Sequence, residues 1–120
     1  MPPLRDGQPP PTTFHLVPRD EWDATDPATA YTPTGFERDR FVHCTDGPAE
    51  VAATANRYFA DLAGDLLVLV LDRARLSAPV RYEDEHQVYP HVYGPIERAA
   101  IVNVIVMPRA ADGTFAAPVR

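Results

Sequence analysis

The feature that most constrains this chain is an uninterrupted run of apolar residues from Leu66 to Leu71. Its length falls far short of the roughly 20 residues that a membrane-spanning helix needs, but it matches one buried strand. Successive side chains of a strand point to opposite faces, so a strand that is apolar throughout must be covered on both. The run therefore predicts the central strand of a sheet with packed layers on either side.

The residues around this run predict further strands and one main helix. Apolar residues at helical spacing predict the helix from Pro48 to Ala60, which Gly64 and Asp65 close. A continuous strand preceded and followed by short strands is typical of an α+β fold with a mixed or antiparallel sheet. Strands are predicted at 12–17, 31–33, 41–45, 79–83 and 100–107, helical turns at 18–22 and 72–76, and a long functional loop at 84–95.

The length of 120 residues indicates one domain, because two halves would each approach the size at which cores become marginal. Many of the 14 prolines lie near the N-terminus, where the composition is that of an unpacked segment. We therefore predict a flexible proline-rich arm over residues 1–11, a single α+β domain over 12–108 and a C-terminal tail over 109–120.

The charged residues exclude several classes of function. Seventeen acidic residues against eleven basic ones give a formal charge of -6, so no double-stranded nucleic acid is expected as a partner. All the basic residues are arginine, which excludes a Schiff-base or P-loop lysine. Cys44 has no disulfide partner, and neither a signal peptide nor a membrane segment is recognisable. We expect a cytoplasmic protein whose partner is a small molecule.

The four histidines are the residues most informative about function. His15 and His43 lie inside predicted strands, whereas His86 and His91 lie in the predicted loop. Strand periodicity places His43 and Thr45 on one face, where they could line a pocket together. A buried histidine with a purely structural role is the alternative for each strand position.

A metal site and a catalytic nucleophile both find little support in the spacing of the residues they would need. A metal site would have to use the local trio Glu85, His86 and His91, because no Cys-x-x-Cys or His-x-x-x-His pattern occurs, and no metal is expected. Cys44 faces away from His43 on its strand, which disfavours a cysteine nucleophile. The only serine, Ser77, precedes a proline-bounded turn and disfavours a serine triad.

A third interpretation is a pocket for an anionic or sugar-containing ligand. Tyr89, His91 and Tyr93 alternate along the chain, so an extended segment would present their rings to one side. Charge-assisted contacts to a phosphate could come from an arginine, with three candidates: Arg81, Arg98 and Arg40. Ordinary packing of the tyrosines over the sheet edge is the alternative, and Tyr31 and Tyr58 are predicted as core or helix-face aromatics.

Five segments of the chain together resemble the bacterial family known as domain of unknown function 952. Members of that family show a Tyr-His pair in the first strand, a Gly-Phe-Ile-His-Cys-Ser segment and a Pro-His-Leu-Tyr-Gly-Pro segment. The resemblance extends from Thr12 to Met107, and Thr45 keeps the hydroxyl of the usual serine. The segments that carry it are Phe14-His15-Leu16-Val17, Trp22, Gly35-Phe36, Phe41-Val42-His43-Cys44-Thr45 and Pro90-His91-Val92-Tyr93-Gly94-Pro95.

This family is grouped with the ADP-ribosyltransferase fold, so the resemblance implies a split sheet that holds NAD in a cleft. It implies that His15 hydrogen-bonds the NAD ribose and that residues 43–45 form the second motif of the fold. The third motif of the transferases is a glutamate, for which Glu85 and Glu97 are candidates on position alone.

The resulting expectation is a domain that binds NAD or a related phosphoribosyl ligand, with transfer of ADP-ribose as a further step. Two alternatives stay open: a non-catalytic small-ligand or regulatory module, and an enzyme acting on a different metabolite in a biosynthetic pathway. The candidate catalytic residues are His15, His43 and His91, and the candidate ligand-binding residues are Thr45, Tyr93, Tyr89 and Arg81.

Overall fold

The computed structural model describes residues 10–118, so most of the predicted N-terminal arm lies outside the described residues. The described chain forms two three-stranded sheets and one main helix. Short 3-10 turns occur at Arg73–Arg75 and Arg98–Ala100. The strands are β1 Thr12–Pro18, β2 Val42–His43, β3 Leu66–Asp72, β4 Val80–Tyr82, β5 Pro90–Val92 and β6 Ile101–Val106, and the helices are α1 Arg19–Asp23, α2 Phe36–Asp39 and α3 Pro48–Tyr58.

The first sheet has the order β1-β3-β6 with antiparallel pairing, and the apolar run is its central strand, as predicted. Residues 66–71 are all buried because each face of β3 packs against a different layer. Leu67, Leu69 and Leu71 face the second sheet, whereas Leu66 and Val68 face α3 and the C-terminal segment. Two hydrophobic clusters therefore share one strand.

The second sheet has the order β2-β5-β4 and is also antiparallel, so the split sheet of the fold prediction contains no parallel pair among residues 10–118. The prediction of an irregular loop over 84–95 was wrong at β5, which is the central strand here. Pro90 and Val92 are buried while His91 between them is only partly buried. This strand has only three residues and begins with proline. Three residues are too few for the alternation of apolar and polar side chains to be recognised in the sequence.

Two further segments differ from the sequence prediction. The strand predicted at 31–33 is a single antiparallel bridge between Tyr31 and Ile96. Residues 109–118, predicted as a tail, fold back through a bridge between Arg109 and Phe115. Phe115 is buried in the cluster beneath α3, so this segment contributes to the core. No helix in the described part of the chain has the length and apolar character needed to cross a membrane.

Candidate functional site

The two faces of the second sheet have different chemistry, because residues alternate between them along each short strand. Val42 and Val92 point into the cluster between the sheets. On the opposite face His43 pairs in register with His91, which in turn pairs with Arg81. The sheet therefore places in one row three residues that are far apart in sequence.

Beside this face lies a cavity of about 590 Å³. Its walls come from β1, α1, the α2 region, β2, α3 and the segment that leads into β5. Five of the predicted site residues line it: His15, His43, Thr45, Tyr89 and His91. Tyr93 and Arg81 lie next to the lining, with the Tyr93 ring 5.2 Å from that of Phe41 and the Arg81 guanidinium 5.4 Å from the Tyr93 ring. His86 is exposed and is not part of the wall.

His15 reaches the cavity from β1, but both of its ring nitrogens already have partners. Nδ1 lies 2.7 Å from the carbonyl oxygen of His43, and Nε2 lies 2.9 Å from the hydroxyl of Tyr31. A carbonyl can only accept, so Nδ1 donates and Nε2 accepts from Tyr31. Burial lowers the pKa of His15 from 6.5 to about 4, so the ring is neutral at pH 7.

This bonding differs from the role that the resemblance implies for His15. A ribose hydroxyl could bond the ring only by replacing the Tyr31 hydroxyl or the His43 carbonyl. In the structure His15 holds β1 to β2 and to Tyr31. Its contribution to the cavity is therefore to position neighbouring groups, and Tyr31, predicted as a core aromatic, is both buried and part of this network.

His91 is held on two sides in the middle of the second sheet. Its Nδ1 lies 2.9 Å from Oε1 of Glu83, and its ring stacks on Phe41 at 3.9 Å between centroids and 13° between planes. The Tyr93 hydroxyl donates to the same Glu83 oxygen. These hydrogen bonds, from Tyr93 first and then from His91, lower the pKa of Glu83. The carboxylate is therefore charged at neutral pH.

His43 is the most exposed of the cavity histidines, with 64% of its side chain accessible. Its Nε2 lies 3.3 Å from Oδ2 of Asp39, which also accepts hydrogen bonds from Arg38. The His43 and His91 rings meet edge to face at 5.2 Å between centroids. Two imidazoles, each beside a carboxylate, thus lie side by side at the cavity.

The positive charge at the cavity comes from an arginine that the sequence did not single out. Arg57 on α3 lines the wall, next to Tyr58 and close to Tyr89. Within residues 10–118 no carboxylate lies at ion-pair distance from it. Its position one residue before Tyr58 on the exposed face of the predicted helix was the available signal. Tyr58 itself is 69% exposed and is a helix-face aromatic, as predicted.

The other candidate arginines have different surroundings. Arg98 donates to the carbonyl oxygens of Thr29 and Asp26 at 2.7 and 2.8 Å, and its guanidinium lies 5.0 Å from the Trp22 ring, away from the cavity wall. Arg40 is exposed and likewise absent from the wall. Arg98 therefore secures the segment before Tyr31, and it does not line the cavity where a phosphate contact was predicted.

The carboxylates proposed for a transfer step do not reach the cavity. Glu85 is exposed, and Glu97 accepts a hydrogen bond from the backbone of Ser77 at 2.9 Å. The acidic residues that do line the wall are already bonded to the protein. Glu21 accepts from the Thr34 backbone, Asp84 from the backbones of Val88 and Tyr89, and Asp39 from Arg38 and His43.

Two further residues of the cavity wall, Cys44 and Thr45, are buried. Burial, aided by the Asp46 carboxylate, raises the pKa of the Cys44 thiol well above its ordinary value, so the residue stays a neutral thiol. Thr45 is buried, and its backbone pairs with Phe14 to join β1 to the end of β2. In the described range 10–118, no group of three histidine, cysteine or acidic side chains is placed to hold a metal ion.

Comparison with models of known families shows the family to which the chain belongs. A model described as "Protein of unknown function (DUF952)" matches residues 16–104, which include β2, α3, both central strands and most of the cavity wall. The chain belongs to the DUF952 family. The matched region begins one residue after His15. Among proteins with curated functions, no sequence matches this DUF952 chain.

Solved structures similar to this DUF952 protein come from Caulobacter crescentus. The X-ray structure of protein CC0527 aligns with a TM-score of 0.72 at 21% identity, covering 87% of this chain and 92% of that one. The solution NMR structure of CC0527 aligns with a TM-score of 0.67 at 22% identity, covering 85% and 89%. At this level of identity the likeness establishes the fold, which both chains share over nearly their whole length.

Proposed function

We propose that this DUF952 domain binds NAD or a related phosphoribosyl ligand in the cavity, within a fold of the ADP-ribosyltransferase type. The observation that carries the proposal is the meeting of His43, His91 and Arg57 in a single cavity of about 590 Å³. That volume lies within the range of roughly 300–1,000 Å³ that is usual for small-molecule and cofactor sites.

Each part of such a ligand has a matching group in the wall. The Arg57 guanidinium supplies a charge-assisted hydrogen bond to a phosphate, in a protein whose formal net charge is -6. Tyr58 and Tyr89 offer aromatic surface to a base. His43 and His91 each have one ring nitrogen that can bond a ribose hydroxyl. Thr45 lines the same wall and adds a hydroxyl.

Binding is better supported than transfer of ADP-ribose. A transferase needs a carboxylate that faces the reacting carbon, and neither Glu85 nor Glu97 lines the wall. We therefore propose a binding module as the first function, with NAD as ligand. Transfer would need Glu21 or Asp39. These wall carboxylates are close in sequence to β1 and β2, the strands that carry His15 and His43.

Isothermal titration calorimetry with ADP-ribose and with NAD tests the proposal. We expect saturable binding by the full chain, and about a tenfold loss of affinity in Arg57→Gln because one charge-assisted bond is removed. Arg81→Gln is the matched control: Arg81 lies over Tyr93 outside the wall, so its affinity loss should be less than about threefold.

Absence of binding to ADP-ribose, NAD and 2'-phosphorylated nucleotides would refute the proposal, and a larger loss in Arg81→Gln than in Arg57→Gln would reassign the phosphate contact. Nicotinamide release from NAD, measured in the same samples, separates the two forms of the function. Binding without release supports the module, and release that His91→Ala abolishes would establish a reaction.

A further inference from the structure

His91 is the cavity histidine whose surroundings define a single chemical state. His15 has partners on both ring nitrogens. His43 is largely exposed and holds its carboxylate at the longer distance of 3.3 Å. His91 combines a 2.9 Å hydrogen bond, a stacked ring and a place on the central strand of its sheet.

The partner of His91 determines which nitrogen carries the proton. Glu83 is ionised, and an ionised carboxylate can only accept hydrogen bonds, so Nδ1 of His91 is the donor. In the neutral ring Nε2 is then an acceptor. Among residues 10–118, Nε2 has no hydrogen-bond partner, and His91 lines the cavity.

Two neighbours keep the ring from turning over. Exchange of the two ring edges would take Nδ1 away from Glu83, and a tilt would break the parallel stack on Phe41. Glu83 is itself held by the Tyr93 hydroxyl on the same oxygen. The position of the carboxylate is thus set by β4 and by the residue that follows β5.

We propose that Glu83 is a positioning residue that fixes His91 as the Nδ1–H tautomer, so that Nε2 is a hydrogen-bond acceptor at the cavity. The matching ligand group is a donor, and under the proposed function, on which this part of the inference rests, it is a ribose hydroxyl. That hydroxyl would donate a hydrogen bond to Nε2 and keep its proton on the ribose oxygen.

The tautomer can be read without any ligand, by long-range ¹H–¹⁵N correlation spectroscopy of the imidazole nitrogens at pH 7.5. We expect the Nδ1–H form for His91 in the wild type. Glu83→Gln should retain it, because the amide oxygen still accepts, whereas Glu83→Leu should shift the population toward Nε2–H. Glu83 is exposed, so both variants should fold. A wild-type His91 protonated on Nε2, or no shift in Glu83→Leu, would overturn the inference.

Affinity for ADP-ribose tests the acceptor itself. His91→Phe retains a ring to stack on Phe41 but removes the acceptor, and about a tenfold loss is expected. His91→Gln should lose less, because its amide oxygen can accept. Equal affinities of His91→Phe and the wild type would refute the acceptor role. If the wild type binds no ADP-ribose, the proposed function fails, and the tautomer measurement alone decides the inference about Glu83.

Discussion

The two sheets of this protein have the same number of strands and the same antiparallel pairing, yet they use their faces differently. The first sheet is apolar on both sides of β3 and packs between two layers. The second sheet packs one side against the first and presents the imidazoles of His43 and His91 on the other. Because the second sheet buries only one face in the core, the side chains on its other face are available to line a cavity.

This difference also decides what the sequence can predict. The run Leu66–Leu71 identifies a central strand because six apolar residues in succession have few other uses. Helix α3 follows from its spacing in the same way. Strand β2 was likewise predicted, within 41–45, whereas β5 has three residues, begins with proline and pairs with β2 about 50 positions away in sequence. Nothing local marks such a strand.

The candidate site was likewise predictable only in part. His43, Thr45, Tyr89 and His91, which were selected from their spacing in the sequence, all line the cavity. The bonding of each ring could not be predicted, because it depends on tertiary neighbours. The carbonyl of His43 and the hydroxyl of Tyr31 occupy His15, and Glu83 orients His91. Arg57 was missed because a charged residue on a helix face ordinarily points to water.

The largest effect is expected from shortening a side chain of β3, the strand that both hydrophobic clusters share. Leu69→Ala removes a fully buried side chain from the cluster between the sheets and should lower the free energy of unfolding by about 3 kcal/mol. His91→Ala, on the outer face of the second sheet, should lower it by less than about 1 kcal/mol. Urea unfolding of both variants measures this. Similar losses would mean that both sheets carry stability on every face.

A second test concerns His15, which belongs to the first sheet but reaches the cavity. Its pKa is about 4 in the folded chain and near 6.5 when unfolded, so the unfolded state binds the proton first as the pH falls. The free energy of unfolding is therefore not reduced by His15 above pH 6.5, and it falls progressively as the pH drops from 6.5 toward 4. Between pH 7 and pH 5 we expect a loss of about 2 kcal/mol.

Urea unfolding at the two pH values measures this loss, with His15→Asn as the control that cannot titrate. The wild type should lose about 2 kcal/mol more than the variant over this interval. The same pH dependence in both proteins would show that His15 is not held neutral by burial, and that the first sheet is more open at the cavity than its packing indicates.

A third test asks whether the end of the second sheet is packed as closely as the first. A Cβ added at Gly94 would lie 2.8 Å from Cβ of Ala78, closer than side-chain atoms pack. Gly94→Ala should therefore cost about 1–2 kcal/mol of stability. A double-mutant cycle with Ala78→Gly should recover about 1 kcal/mol of that cost, because it removes the opposing atom. Additive effects in urea unfolding would place the strain elsewhere.

The smallest effect concerns the layer that covers the other face of β3. The Asn56 side chain of α3 donates to the Phe115 carbonyl at 3.0 Å and accepts from the Phe115 backbone N–H at 2.8 Å, which holds Phe115 in the cluster beneath the helix. Asn56→Ala should cost about 1 kcal/mol, because water can replace part of this pairing. Asn103→Ala, an exposed amide on β6, is the control and should change stability by less than about 0.5 kcal/mol. Equal effects in urea unfolding would mean that the Asn56–Phe115 hydrogen bonds add no stability beyond the apolar packing of this layer.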